Sequence, residues 1–220
     1  MFTEKNPPQT EEINRILQRL DKYLVAVDVT FEDYYENYAH DRHEWVEGMV
    51  YKLSPASLTH NDLIGFLFML FNEFFHRKSL GRVIQSPFIM KLEGISAREP
   101  DLMIVLNEHA NNLSDTMMNG PADICIEIVS PESPERDYGT KFTEYEKGGV
   151  REYWIFDPRH KDARFYRLDE DGVYQSQSVD SDGNYQTPLL DKFRLHVSML
   201  WTAPLPSPSG IVKQVQAMFK

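Results

Sequence analysis

Short apolar runs with strand composition alternate along this chain with segments of helical periodicity. Residues 123–129 form a continuous β-branched run, and residues 153–156 and 163–168 have the same character. Residues 57–77 instead repeat apolar side chains at helical spacing. Continuous apolar strands suit a sheet that is covered on both faces. The alternation therefore predicts an α/β fold with α+β character, in which a mixed β-sheet is flanked by helices.

Capping and turn residues predict the boundaries of further elements. Thr30 and Asp33 have the spacing of a capping box and predict a short helix. The dipeptide Glu-Gly at 47–48 predicts the turn of a hairpin over residues 43–53. Gly81 predicts the end of the long helix.

The middle of the chain continues with strands, a loop and a helix. Residues 82–92 and 99–106 read as strands, and the polar residues 107–120 read as a variable loop. Ser133 followed by proline predicts a helix start, and Gly149 predicts the end of that helix.

The 220 residues fit one domain with an extension at each end. Residues 1–24 are predicted to form a tail and a helix that Thr10 caps. Residues 25–200 are predicted to form the domain itself. Residues 201–220 contain three prolines in alternation and are predicted to be an irregular C-terminal extension.

The composition predicts a cytoplasmic protein without a membrane segment. No stretch approaches the roughly 20 apolar residues that span a bilayer. The polar N-terminus lacks the basic start and apolar run of a secretory signal. Cys125 is the single cysteine and cannot form an intrachain disulfide.

The charge and the absent motifs narrow the classes of function. A net charge of −11 opposes a broad nucleic-acid surface, because backbone binding relies on lysine and arginine. A local basic patch, or a cation in an acidic site, would still permit a nuclease. No glycine-rich phosphate loop and no His-x-x-x-His spacing occurs, so nucleotide cofactors and zinc are not indicated.

Two carboxylates and a lysine carry the candidate chemistry. Asp101 stands at the head of a strand, and Glu127 lies inside an apolar strand, where a charge is costly unless it is paired or bound to a cation. Two carboxylates suit a hard divalent cation such as Mg²⁺. Lys141 on the following helix could stabilise charge on a phosphate or orient an attacking water.

Several short motifs occur along the chain in a fixed order. They are EWVEG at 44–48, SP at 54–55 with His60, EPDL at 99–102, EIVSP at 127–131, Asp137 with Lys141, and GVREYW at 149–154. In this order and spacing they resemble the Uma2 family, also called DUF820, which belongs to the PD-(D/E)xK nuclease superfamily of restriction-endonuclease-like proteins. The resemblance covers roughly residues 25–200.

The resemblance implies a restriction-endonuclease-like core that cleaves DNA with Mg²⁺, or with Mn²⁺ in its place. It implies Asp101 and Glu127 as metal ligands. The superfamily's usual lysine would follow Glu127 by two residues, where this chain has valine. Lys141 would therefore act from the next helix, while His60 and Glu44 would be accessory site residues.

Each candidate also has a structural interpretation. Glu127 could form a salt bridge with Lys141 or Arg136. His60 could be a satisfied core residue, and Glu44 could be a charge at a sheet edge. Asp137 is explained by its position near a helix N-terminus and is left out of the predicted site.

Three functions stay open at this point. The first is a Mg²⁺-dependent endonuclease acting on DNA. The second is a catalytically silent module of the same fold that binds a partner. The acidic net charge and an expected homodimer favour this function. The third is a metal-dependent hydrolase of a small phosphorylated substrate, which would need a narrow acidic pocket.

Overall fold

The computed structural model of the protein describes residues 23–130 and 134–220. The described chain divides into two compact units. The first contains the residues up to Ser54 together with Gly94–Arg98, and the second contains Pro55–Glu93 and Glu99–Lys220. The predicted tail and helix that begins at Thr10 lie outside the described residues.

Four helices and fourteen strands make up the described part of the chain. In chain order they are β1 (Leu24–Ala26), α1 (Phe31–Asn37), β2 (His43–Val46), β3 (Met49–Lys52), α2 (Leu58–Lys78), β4 (Gly81–Gln85), β5 (Ile89–Leu92), β6 (Ser96–Arg98), β7 (Leu102–Leu106), β8 (Met117–Asn119), β9 (Ile124–Ile128), α3 (Lys141–Gly148), β10 (Glu152–Asp157), β11 (Asp162–Leu168), β12 (Tyr174–Gln177), β13 (Asn184–Tyr185), β14 (Leu195–His196) and α4 (Pro208–Ala217).

The first unit is built on antiparallel strands in the order β1-β3-β2-β6. The predicted hairpin is confirmed, and its turn has positive φ at Glu47 and Gly48, as a tight two-residue connection requires. The predicted helix is confirmed as α1. The Thr30 side chain accepts a hydrogen bond from the Asp33 backbone N–H and caps its start.

The second unit contains the mixed sheet that the sequence predicts. Its strand order is β12-β11-β10-β9-β7-β4. β9 and β10 are parallel, and the other neighbours are antiparallel. The carboxyl ends of β9 and β10 consequently meet at one edge, which is where ligands commonly bind in sheets with parallel strands.

The core of the second unit lies on one face of this sheet. Ile124, Ile126 and Ile128 alternate along β9 and belong to one buried cluster with Phe71 of α2 and Trp154 of β10. The other residues of β9 point to the opposite face. Glu127 therefore faces away from this aromatic core, toward the side that carries Tyr145 of α3.

Two predicted boundaries in the second unit are wrong. The long helix ends at Lys78 and is capped by Ser79 in the left-handed conformation, not by Gly81. Gly81 instead begins β4, where a Cβ atom would clash with the carbonyl oxygen of Val105. The predicted strand over 82–92 is two strands, β4 and β5, separated at Pro87, which has no N–H for a ladder.

Two predicted irregular segments contain regular structure. Residues 107–120 include a 3₁₀ helix at Asn107–Asn112 and strand β8. The C-terminal residues include α4, whose N-cap is Ser207 and whose first position is Pro208. The alternating prolines thus mark a helix start.

The helix before β10 contains a π-helical turn at Arg136–Thr140 and continues as α3. It ends at Gly149 in the left-handed conformation, as predicted. The predicted cap, Ser133, lies outside the described residues. No helix in the described part of the chain is both long and apolar enough to cross a bilayer.

Candidate active site

Asp101 and Glu127 lie side by side at one edge of the sheet in the second unit. β7 and β9 pair antiparallel with Leu102 opposite Ile126. Continuing this register by one residue beyond the ladder would set Asp101 opposite Glu127, and the Ile128 N–H does bond to Asp101 Oδ2. Residues opposite each other in an antiparallel pair point to the same face, with Cβ atoms about 4.5–5.5 Å apart. The fold thus brings the two predicted metal ligands together.

Asp101 is held by a backbone amide and by His60. Its Oδ2 accepts a hydrogen bond of 2.7 Å from the Ile128 N–H, and His60 Nε2 lies 3.0 Å from the same oxygen. An ionised carboxylate only accepts hydrogen bonds, so Nε2 is the donor. His60 Nδ1 is buried and has no hydrogen-bond partner among the described residues. His60 therefore orients Asp101.

Glu127 is paired from helix α3. Lys141 Nζ lies 2.8 Å from Glu127 Oε1, and Tyr145 donates a hydrogen bond of 2.8 Å to the same oxygen. Both charged side chains are at least nine-tenths buried. Lys141 and Tyr145 are four residues apart, so they lie on one face of the helix. The geometry places Lys141 beside Glu127, as both the functional and the structural interpretations require.

Asp137 is also part of this cluster, although the sequence interpretation left it out. It is buried in the π-helical turn, and its Oδ1 lies 3.8 Å from Lys141 Nζ and 4.0 Å from Arg136 Nε. The Tyr153 hydroxyl donates to the Asp137 carbonyl oxygen. The spacing of four residues between Asp137 and Lys141 is the sequence signal that could have included it.

The residues present fit a divalent cation. The carboxylates of Glu127 and Asp137 lie beside the cations of Lys141 and Arg136, and Asp101 contacts the same strand through the Ile128 N–H. Buried negative charge is costly unless a cation balances it. Asp101 Oδ1 makes no hydrogen bond with the described residues. Carboxylate oxygens of this kind are the ligands that Mg²⁺ prefers.

Glu44 lies in the first unit and has its own partner there. Arg98 Nη1 donates a hydrogen bond of 2.8 Å to Glu44 Oε2, and both side chains are buried. The pair joins β2 to β6 within one sheet. This contact accounts for the burial of Glu44, and its accessory role in the site stays a prediction.

A second acidic group could hold a metal ion by its geometry. Glu108, His109 and Asp123 offer ligand atoms that all lie within 4.8 Å of one another. Arg151 Nη1 already lies 2.7 Å from Glu108 Oε1 and 2.9 Å from Asp123 Oδ1. A guanidinium therefore already supplies positive charge to this group.

Cys125 neighbours the site but does not have the properties of a nucleophile. It is fully buried on β9. Burial and the nearby Glu127 carboxylate raise the pKa of its thiol well above the ordinary value. A thiol with a raised pKa is largely protonated at neutral pH and unreactive.

The mixed sheet and its carboxylate and lysine cluster define a protein with a restriction-endonuclease-like core. The chain belongs to the Uma2 family, whose model, described as "Putative restriction endonuclease", matches residues 29–198. This membership supports a nuclease-like function.

A solved structure has the same fold. It is described as a "putative nuclease belonging to DUF820" from Anabaena variabilis, with a TM-score of 0.67 and 15% sequence identity. The match covers 79% of this chain and 97% of that one. No curated protein matches this chain at a significant level.

Proposed function

We propose that the protein is a metal-dependent endonuclease that hydrolyses phosphodiester bonds of DNA. The observation that carries this proposal is the cluster at the sheet edge. Asp101 Oδ2 accepts a hydrogen bond from the N–H of Ile128, the residue after Glu127, and Lys141 Nζ is 2.8 Å from Glu127 Oε1. Two carboxylates with an adjacent lysine are the groups that phosphodiester hydrolysis needs.

Asp101 and Glu127 would hold the cation, which we propose to be Mg²⁺, with Mn²⁺ as a substitute. A bound divalent cation lowers the pKa of a coordinated water and neutralises charge on the phosphate. The acidic net charge of the chain makes such neutralisation important for a nucleic-acid substrate.

The remaining residues position these groups. The Lys141 ammonium is buried within the cluster and would stabilise negative charge that develops on the scissile phosphate. Because the imidazole of His60 holds Asp101 Oδ2, it directs Oδ1 toward a ligand. Glu44 would be accessory. We retain homodimerisation and a cytoplasmic location as proposals from the sequence.

A catalytically silent module of the same fold is the alternative. The observation that favours it is the contact of Glu127 with both Lys141 and Tyr145, because a carboxylate with such partners can be a purely structural ion pair. In this case binding of a partner would not depend on Asp101 or Glu127.

Cleavage assays separate these functions. Purified protein is incubated with supercoiled plasmid and with labelled duplexes in Mg²⁺, in Mn²⁺ and in EDTA, beside the Lys141→Met variant. The proposal expects cleavage that needs the metal and is lost in Lys141→Met, with folding checked by thermal unfolding. Absence of cleavage by the wild type on every substrate would favour the silent module.

A further inference from the structure

A pocket of about 240 Å³ opens beside the cluster, within the second unit. Val129 and Ser130 line it, and they follow Glu127 by two and three residues. Thr59, which precedes His60, lines another side. The pocket therefore begins where the candidate active site ends.

The topology explains this position. Val129 N–H donates a backbone hydrogen bond to the Phe156 carbonyl oxygen, which extends the parallel pairing of β9 and β10 to their carboxyl ends. Pro158, Arg159 and His160 then follow β10 and close the pocket. The two parallel strands thus supply the pocket from their carboxyl ends, the usual location of ligand sites.

The turn that borders the pocket is held in one conformation. Asp157 is buried, and its Oδ1 accepts hydrogen bonds from the backbone N–H groups of Arg159 and His160 at 2.9 and 3.1 Å. Asp157 Oδ2 lies 2.7 Å from His160 Nδ1. Since the carboxylate is the acceptor, His160 donates from Nδ1, and its Nε2 is left for another contact.

Arg159 is the positive group of this turn that carries the inference. Its guanidinium forms no ion pair with an acidic residue in the described part of the chain, and the residue is exposed. Several other arginines of this acidic protein do pair with carboxylates. They are Arg77, Arg98, Arg136, Arg151, Arg164 and Arg167.

From this arrangement we propose that the pocket binds a backbone phosphate of DNA next to the scissile one. Arg159 would contact the phosphate oxygens, and the hydroxyl-bearing residues Ser57 and Thr59 also line the pocket. The first turn of the 21-residue helix α2 contributes its positive dipole end. This inference rests on the proposed function and describes how the DNA backbone would be held beside the candidate active site.

DNA binding measured apart from cleavage tests the inference. Fluorescence anisotropy follows the full chain with two labelled duplexes of unrelated sequence, in EDTA so that no cleavage occurs. The variant is Arg159→Ala, and the control is Arg194→Ala, an exposed arginine outside the pocket. The Arg159 side chain is exposed and forms no ion pair in the described part of the chain, so the variant should fold normally.

Arg159→Ala should bind both duplexes on the order of tenfold more weakly, because a backbone contact is independent of sequence. The slope of log K against log salt should fall by about 1. Arg194→Ala should match the wild type. Equal binding by all three proteins, or no binding by the wild type, would overturn the inference.

The outcome is separable from that of the endonuclease proposal. A wild type that binds DNA through Arg159 but cleaves nothing with Mg²⁺ or Mn²⁺ refutes the endonuclease and supports the phosphate pocket. Equal cleavage by the wild type and by Arg159→Ala at DNA concentrations well below Kd refutes the pocket alone.

Discussion

Two buried carboxylates on adjacent parallel strands have opposite surroundings. Glu152 at the start of β10 accepts four hydrogen bonds, two on each oxygen. The donors are Trp154 Nε1, Arg167 Nε, Tyr185 OH and Thr187 Oγ1. A carboxylate whose two oxygens each accept two hydrogen bonds has little capacity left for a cation. Glu152 therefore ties β10 to β11 and to the segment around β13.

The cluster at the other end of the sheet is different. Asp101 concentrates its contacts on Oδ2, while Oδ1 has no hydrogen bond with the described residues. Glu127 contacts Lys141 and Tyr145 through Oε1. Burial of a strand carboxylate therefore does not by itself distinguish Asp101 from Glu152, whereas the distribution of donors over the two oxygens of each does.

The largest expected effect is on the cleavage rate, which should fall on substitution of Asp101 and not on substitution of Glu152. Asp101→Asn should lower the rate on the order of 10³-fold, about 4 kcal/mol, because a ligand charge is lost. Glu152→Gln, at the saturated carboxylate, should retain the rate within a few-fold. Single-turnover cleavage by folded variants measures both. Equal losses in the two variants would remove the distinction.

The next largest effect is on the free energy of unfolding and is expected at Glu152. Glu152→Ala should lower the free energy of unfolding by about 3 kcal/mol, because buried donors such as Trp154 Nε1 lose their acceptor. The exposed Glu170→Ala serves as the control and should change it by less than about 0.5 kcal/mol. Urea unfolding gives both values. A Glu152→Ala variant as stable as the control contradicts a structural role.

His60→Asn should have a smaller effect on the cluster. Loss of the bond that orients Asp101 should weaken metal binding and cleavage about tenfold. Calorimetry with Mn²⁺ beside the cleavage assay tests whether the two losses match. A fall in cleavage with unchanged metal affinity would show that His60 acts elsewhere in the reaction.

The smallest effect concerns the turn beside the pocket and depends on pH. Burial tends to raise the pKa of Asp157, but hydrogen bonds from His160 and from the turn backbone lower it overall. Its contribution to stability is therefore present above the ordinary aspartate pKa and is lost as the pH falls through the lowered value. Asp157→Asn should cost less than about 1 kcal/mol at neutral pH, since His160 is largely exposed.

Unfolding curves at several pH values test this expectation. The difference between the wild type and Asp157→Asn should shrink as the pH falls. A difference that stays constant down to acid pH would mean that the carboxylate charge does not stabilise the turn.

Sequence reasoning predicted much of the fold because the relevant signals are local. The β-branched run of β9, the cap at Thr30 and the left-handed Gly149 each act within a few residues. The division of residues 82–92 into two strands was missed, because strand pairing joins distant segments that a local pattern does not contain.

The site was predictable in part for the same reason. The charge of Glu127 within an apolar strand is visible in the sequence, and so is the position of Lys141 on the next helix. The saturation of Glu152 is not visible, because Tyr185 and Thr187 reach it from more than thirty residues away. Asp137 was left out of the predicted site, because its spacing to Lys141 is visible in the sequence but its burial in a π-helical turn is not.

Cation binding tests the central claim most directly. Mg²⁺ and Mn²⁺ are titrated calorimetrically into the wild type, Asp101→Asn and Glu152→Gln, with folding verified for each. We predict binding of a divalent cation by the wild type and by Glu152→Gln, and its loss in Asp101→Asn. Binding that persists in Asp101→Asn, or that disappears in Glu152→Gln alone, would contradict the assignment of the metal site to Asp101 and Glu127.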